Sequence, residues 1–139
     1  MKKLLAAIAV LFLLVAVPSG TAHAQTKSTP KNSDIIGIWL GTNYGYENGV
    51  FKSSDLRFTI QKVNGVTFTG VKSWRQSNGE WSEEELFQGV MYKNGEFHAA
   101  DNDGIIIGKR TSPNRIQATY LEVGEDQAAL VMNLRKTRN

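Results

Sequence analysis

Few side chains in this sequence have the chemistry of a catalytic group, and they do not stand in a recognisable catalytic pattern. His98 is the single histidine after residue 24, and the chain contains no cysteine. One histidine provides neither a metal-ligand set nor a nucleophile–base pair. We therefore expect His98 to be a hydrogen-bonded strand residue, with a polar contact inside a ligand pocket as the functional alternative.

Carboxylates form a second candidate group. The run 80–85 carries four glutamates around Trp81, and adjacent carboxylates support acid–base chemistry where their environments differ. The run directly follows an Asn-Gly turn signal, which favours a solvated loop. Residues 101–104 begin like a calcium-binding loop but lack its later ligands, so they are interpreted as a turn. The sequence therefore predicts no enzyme activity, no metal site and no cofactor.

A ligand pocket is the remaining chemical possibility. Tyrosine and tryptophan supply ring surface with a polar handle, and small-molecule pockets combine an apolar lining with few polar anchors. The alternative is that the interior of so small a domain is filled by its own side chains. The candidate ligand-binding residues are Asn43, Tyr44, Trp74, Tyr92, His98 and Tyr120.

The N-terminus has the pattern of a secretory signal peptide over residues 1–24. Lys2 and Lys3 precede an apolar run over 4–17, and residues 22–24 give the small-x-small cleavage pattern Ala-His-Ala. The apolar run is short for a membrane span, which needs about 20 residues. We expect cleavage after Ala24, no stable membrane anchor, and a location in a bacterial periplasm or outside the cell.

The remainder divides into a flexible leader over 25–33 and one domain over 34–139. Without Lys2 and Lys3 the formal net charge falls from +3 to +1. So small an excess does not indicate a nucleic-acid partner. Because cysteine is absent, stability must come from packing and sheet closure rather than disulfides.

Turn signals recur at hairpin spacing along this domain. Asn-Gly occurs at 48–49, 64–65, 78–79 and 94–95, and Asp-Gly at 103–104. These dipeptides favour the positive φ angles of tight hairpins. Alternating apolar and polar residues between the turns indicate half-buried strands. The predicted strands cover 35–46, 55–63, 66–75, 84–93, 96–100, 105–111, 115–123 and 127–136.

The first strand carries Trp39 between Gly37 and Gly41, all on one face. Further glycines interrupt later strands at 70, 89 and 108. Glycine inside a strand marks a bulge or a sharp coil of the sheet, as tight closure of a barrel requires. The prediction is an all-β fold, an eight-stranded antiparallel up-and-down β-barrel.

With these residues the chain resembles the calycin group of barrels, which includes lipocalins, fatty-acid-binding proteins and avidins. The resemblance rests on Gly37-Ile38-Trp39 in the first strand and Leu134-Arg135 in the last. In that group the tryptophan packs near the closed end beneath a basic side chain of the last strand, for which Arg135, or its neighbour Lys136, is the matching position. Such stacking stabilises by about 0.5–2 kcal/mol. The size and the apolar-x-Gly strands are most similar to the avidin branch.

Two functions follow as hypotheses. The first is an exported barrel that binds a small, partly apolar ligand in its mouth. The second is a solid barrel that acts as an interaction or inhibitor module toward another exported protein. The run Ile105–Ile107 is apolar on both strand faces, which would suit an oligomer contact or a covered strand.

Overall fold

The structure is a computed structural model that describes residues 32–138. The predicted signal peptide and residues 25–31 of the predicted leader lie outside the described residues. A 3₁₀ helix spans Asn32–Ile35, so the last two residues of the predicted leader belong to an ordered element of the fold.

Eight antiparallel strands follow in chain order, and each pairs with its neighbours in sequence. The first strand also pairs with the last, which closes the barrel so that none of the eight described strands has a free edge. The predicted eight-stranded antiparallel barrel is therefore confirmed. The strands are β1 (Gly37–Glu47), β2 (Val50–Asn64), β3 (Thr67–Trp74), β4 (Glu85–Met91), β5 (Glu96–Ala100), β6 (Gly104–Ser112), β7 (Arg115–Glu122) and β8 (Ala128–Lys136).

The hairpin between β1 and β2 is tighter than the strand prediction implied. Asn48 and Gly49 have φ angles of 50° and 75°, as a two-residue primed turn requires. Pairing resumes at once, with Phe51 opposite Tyr46. β2 consequently begins at Val50 rather than at the predicted residue 55. The polar segment that follows Phe51 resembles a loop in sequence but is held in the sheet by the long β1.

The core fills the half of the barrel where β1 begins. Trp39, Phe58, Phe87 and Ile106 are almost fully buried there, and the Phe58 and Phe87 rings pack with their centroids 4.9 Å apart. Ile35 of the 3₁₀ helix joins the same cluster. This end of the barrel is therefore packed with side chains and capped by the helix.

Strand glycines make room for rings on the neighbouring strand. Gly89 lies opposite Phe68 and Gly70 lies opposite Phe87, so two ring–glycine pairs alternate across β3 and β4. A Cβ at Gly89 would lie 2.5 Å from Cζ of Phe68. Gly108 stands in the same relation to Phe97. The two register shifts in the sheet occur elsewhere, at 60–62 and 110–112.

Trp39 is held at the closed end by the 3₁₀ helix and by β8. Its indole Nε1 donates a hydrogen bond to the Ile35 carbonyl at 2.8 Å. Lys136 lies directly across from Trp39 in the β1–β8 register, and its Nζ is 5.8 Å from the ring. The same ammonium donates to the Asp34 carbonyl at 2.6 Å. Of the two cations that the resemblance offered, Lys136 takes this position. Arg135 is exposed, because consecutive strand residues face opposite sides of the sheet and Lys136 faces inward.

The three side chains of the run Ile105–Ile107 also alternate between the inside and the outside of the barrel. Ile106 is fully buried in the core, whereas Ile105 and Ile107 are exposed by nearly half on the outer surface. Their predicted role in an oligomer stays a prediction. Among residues 32–138, no helix has the length and apolar character to cross a membrane.

Candidate ligand-binding site

A cavity of about 1110 Å³ occupies the end of the barrel opposite the 3₁₀ helix. Four connections surround its opening, at 48–49, 75–84, 101–103 and 123–127. The antiparallel order places them together, because every second connection of an up-and-down barrel lies at the same end. The alternative that the barrel is filled throughout therefore does not hold, since side chains fill its closed half only. We call the open half the mouth cavity.

The β8 side of the mouth cavity is apolar. Ala128, Leu130 and Met132 all line it, because alternate residues of β8 face inward. Leu56 of β2 adds to the same surface. The core beneath these residues limits how far a ligand can enter.

A buried ammonium dominates the opposite side. The Lys72 side chain is only 8% exposed, and its Nζ lies 2.7 Å from Oε2 of Glu85 and 2.9 Å from Oδ2 of Asp101. The Tyr120 and Trp74 ring centroids are 4.5 and 5.2 Å from the same atom. Two carboxylates and two ring faces compensate this cation, as a buried charge requires.

Asp101 is more deeply buried than Lys72, with 1% of its side chain exposed. Its Oδ1 accepts hydrogen bonds from the backbone N–H groups of Asp103 at 3.0 Å and Gly104 at 2.8 Å. Its Oδ2 faces the Lys72 ammonium at 2.9 Å. Burial alone would raise the pKa of Asp101. The Lys72 ammonium and the two backbone donors outweigh burial, so that its pKa lies below the ordinary value.

Tyr120 and Glu122 extend this group toward the opening. The Tyr120 hydroxyl lies 3.3 Å from Oε2 of Glu122 and 3.5 Å from Oδ1 of Asp101. Burial, followed by the two nearby carboxylates, raises the pKa of Tyr120 far above its ordinary value. The phenol is therefore a neutral hydrogen-bond donor. Burial also raises the pKa of Glu122, and the charges of Asp103 and Asp126 add to this effect.

Ring contacts, hydrogen bonds and an ion pair hold the connection over 75–84 beside the opening of the mouth cavity. Two guanidinium groups contact the Trp81 ring, with Cζ of Arg75 at 4.2 Å and Cζ of Arg57 at 4.8 Å from the ring centroid. Ser82 exchanges hydrogen bonds with the backbone of Trp74. Glu84 forms an ion pair with Arg57 at 3.4 Å. This part of the rim is therefore ordered without a ligand.

The four glutamates of the run 80–85 differ in exposure, and the difference occurs where this connection enters β4. The residues at 80, 83 and 84 are exposed, as expected of a solvated rim. Glu85 departs from that expectation because it is the first residue of β4 and lines the mouth cavity beside Lys72. Strand parity turns its side chain inward, whereas Leu86 is exposed.

Three of the six candidate ligand-binding residues line the mouth cavity: Asn43, Trp74 and Tyr120. Asn43 accepts two hydrogen bonds at Oδ1, from the backbone N–H and the hydroxyl of Ser54. Its contacts fix the amide at the β1–β2 wall. The binding role of these three residues stays a prediction.

The other three lie on the outside of the barrel, so they cannot line the predicted pocket. Tyr44 is exposed because it directly follows the inward-facing Asn43. His98 is likewise exposed between two inward residues of β5. Tyr92 follows β4 at the closed end, and its ring packs edge-to-face on His98 with centroids 5.5 Å apart. His98 borders an outer groove rather than the barrel interior.

Four residues of the site are not among the six candidates that the sequence predicts: Lys72, Glu85, Asp101 and Glu122. One signal was present, because Lys72 shares strand parity with Phe68 and Trp74. A lysine at an inward position indicates a buried ion pair. Nothing in the sequence identified its two partners, which follow it by 13 and 29 positions.

Comparisons with known proteins support the fold alone. No protein-family model matches the sequence, and no curated protein matches it. Among solved structures, the chain is similar to a redesigned beta barrel, with a TM-score of 0.55 and 11% identity over 76% of this chain and 94% of the other. It is also similar to EF1p2_mFAP2b bound to DFHBI, with a TM-score of 0.51 and 14% identity over 76% of this chain and 95% of the other.

Proposed function

We propose that this protein is an exported, calycin-like β-barrel that binds a small, partly apolar molecule in the mouth cavity. The observation that carries the proposal is the cavity of about 1110 Å³, open at one end and floored by the packed core. Its volume is of the order of known small-molecule sites, which span about 300–1,000 Å³.

The chemistry of the walls fits such a ligand. Leu130 and Met132 offer an apolar surface, and Tyr120 and Glu122 offer polar groups next to it. Lys72 and its two carboxylates compensate one another before any ligand enters. The polar groups are thus already positioned, which lowers the ordering cost of binding.

A barrel of similar fold provides a precedent for small-molecule binding. EF1p2_mFAP2b, a barrel of similar fold, is bound to DFHBI. The two chains are 14% identical, so what they share is the architecture rather than a particular set of contacts. A barrel of this kind can hold a small molecule, and the walls of the present cavity would determine which one.

The calycin part of the proposal is supported by the closed end. Trp39 of the Gly-x-Trp segment packs beneath the last strand, and Lys136 supplies the cation near its ring. The 3₁₀ helix caps the same end through the hydrogen bond from Trp39 to Ile35. Export is supported by the signal-like pattern of residues 1–24. N-terminal sequencing of protein recovered from its host would show Gln25 as the first residue.

Binding rather than catalysis is proposed because the described residues that line the cavity include no nucleophile–base pair. A ligand that enters and leaves chemically unchanged would support this part of the proposal. Native mass spectrometry before and after prolonged incubation with the ligand provides the check.

A fluorescence titration tests the binding site. N-phenyl-1-naphthylamine, an uncharged apolar probe, is expected to bind with saturable fluorescence enhancement and one site per chain. Ala128→Trp places a large ring in the mouth cavity and should abolish this binding. Ala129→Trp is the matched control, because Ala129 is the next residue and is exposed outside. Equal binding by both variants, or no binding by the unmodified protein, would refute the proposed site.

A further inference from the structure

The mouth cavity has more carboxylates than cations among its described lining residues. Six carboxylates line it: Glu47, Asp55, Glu85, Asp103, Glu122 and Asp126. Three basic residues accompany them: Lys52, Lys72 and Arg75. The wall therefore has a formal excess of three negative charges, before the buried Asp101 is counted.

Each of the three basic groups already has a carboxylate partner. Lys52 lies 2.8 Å from Glu47, and Arg75 lies 3.9 Å from Asp55. Lys72 is shared between Glu85 and the buried Asp101. Among the described residues of the cavity wall, every basic side chain is thus already paired with a carboxylate before an anionic ligand enters.

The three remaining carboxylates lie on the same side of the opening. Gly104 pairs with Glu122 in the β6–β7 register, which brings Asp103 next to Glu122. Asp126 acts electrostatically on Glu122 as well. Within the described chain, none of the three has a basic side chain within ion-pairing distance. Glu122 receives only the Tyr120 hydroxyl, at 3.3 Å.

This negative group adjoins the apolar wall. The β7–β8 register sets Glu122 opposite Ala128 and Tyr120 opposite Leu130. These four residues occupy neighbouring inward positions on two strands. A molecule that lies against Leu130 would therefore extend toward Glu122 at the opening.

We propose that the ligand of the mouth cavity is an organic cation, with an apolar or aromatic body against Leu130 and Met132 and an ammonium group at Glu122. The proposal rests on the proposed function and specifies its ligand class. An ammonium would supply the countercharge that Glu122, Asp103 and Asp126 lack. An anion would meet three uncompensated carboxylates, and the electrostatic cost rises as the ligand excludes water.

Three probes of matched shape test the charge preference. These are 1-naphthylmethylamine, protonated at pH 7, the neutral 1-naphthalenemethanol, and the anion 1-naphthoate. Isothermal titration calorimetry should show the amine binding about tenfold more tightly than the alcohol, a factor that corresponds to about 1.4 kcal/mol. The carboxylate should bind most weakly. The advantage of the amine should diminish at high ionic strength.

A pair of isosteric variants then locates the preference. Glu122→Gln removes the charge but keeps an oxygen that accepts from Tyr120, so the affinity for the amine should fall about tenfold toward that of the alcohol. Glu125→Gln removes the same charge from an exposed residue in the connection that follows β7, outside the cavity lining. It should leave both affinities within about twofold.

The outcomes separate this inference from the proposed function. Suppose that N-phenyl-1-naphthylamine binds but 1-naphthylmethylamine binds no more tightly than 1-naphthalenemethanol, or that Glu122→Gln does not weaken binding of 1-naphthylmethylamine. The ligand class is then wrong and the binding site stands. The same conclusion follows if the uncharged probe binds and none of the three naphthyl compounds does. If no compound binds at all, both proposals fail.

Discussion

Replacement of Lys72 by methionine tests whether the ion-paired group in the mouth cavity holds the barrel together. The substitution keeps a similar side-chain length and removes the ammonium. Asp101 would then be left with 1% of its side chain exposed and no opposite charge nearby. Glu85, at 34% exposure, can turn toward solvent at little cost. The destabilisation should therefore arise mainly from Asp101.

The magnitude follows from the burial of that one carboxylate. Breaking a buried ion pair by removing one partner costs about 3–5 kcal/mol. The two backbone N–H donors to Asp101 remain, so we expect the lower end of this range, about 3 kcal/mol. For a domain of this size the melting temperature should fall by roughly 12 °C.

The effect should depend on pH in a defined direction. The pKa of Asp101 is lowered in the folded protein, so this carboxylate contributes stability above its unfolded pKa of about 3.9. That contribution is lost as the pH falls through the folded pKa. Without the Lys72 ammonium the pKa of Asp101 should rise. The stability difference between the unmodified protein and the variant should therefore narrow at acidic pH.

Urea unfolding followed by tryptophan fluorescence at pH 7 and near pH 3 measures both effects. Lys62→Met is the matched control, because Lys62 is exposed on the outside of β2, and it should change the unfolding free energy by less than about 0.5 kcal/mol. Lys72→Met with Asp101→Asn should be more stable than Lys72→Met alone. A loss for Lys72→Met that matches the control, or one independent of pH, would refute the argument.

Two further predictions concern Tyr120 and the strand glycines. Because the pKa of Tyr120 is raised, the neutral phenol contributes stability that is complete below its unfolded pKa of about 10 and is lost as the pH rises. In an alkaline absorbance titration the Tyr120 phenol should ionise only as the protein unfolds. Tyr120→Phe should remove the absorbance step that accompanies unfolding, and an unchanged step in this variant would contradict the prediction. Gly89→Ala should destabilise the barrel by about 2 kcal/mol, since its Cβ would lie 2.5 Å from the Phe68 ring. Chemical denaturation checks this value, and Phe68→Leu in the same chain should recover part of the loss if the ring is the obstacle.

The sequence predicted the candidate site less well than the strands. Part of the difference comes from the alternation of strand residues between the inside and the outside of the barrel. Asn43 and Tyr44 are both predicted pocket residues, yet consecutive strand residues face opposite sides of the sheet. Trp39 fixes which one enters, because it is buried and lies four positions before Asn43. The same rule places His98 outside, between Phe97 and Ala99.

The charged group at Lys72 could not be derived in that way. The alternation of strand residues predicts that Lys72 of β3 faces inward, and a buried lysine requires an acidic partner. The alternation does not identify which carboxylate that is. Asp101 lies in the connection before β6, and it reaches Lys72 only because the sheet curves across the intervening strands. The register between β1 and β8, which closes the barrel, also determines which of two adjacent cations near the end of β8 lies near Trp39. Lys136 takes this position, and Arg135 lies outside.

The sequence by itself determined the strand number, the antiparallel order and most strand ends. Asn-Gly turns and apolar alternation act over a few residues, so they are legible without any distant contact. Only the tertiary structure decided that one half of the barrel is packed, that the other half is a cavity, and which charges meet there. Those features depend on how far the closed sheet curves and on distances between residues far apart in the chain, which no local pattern encodes.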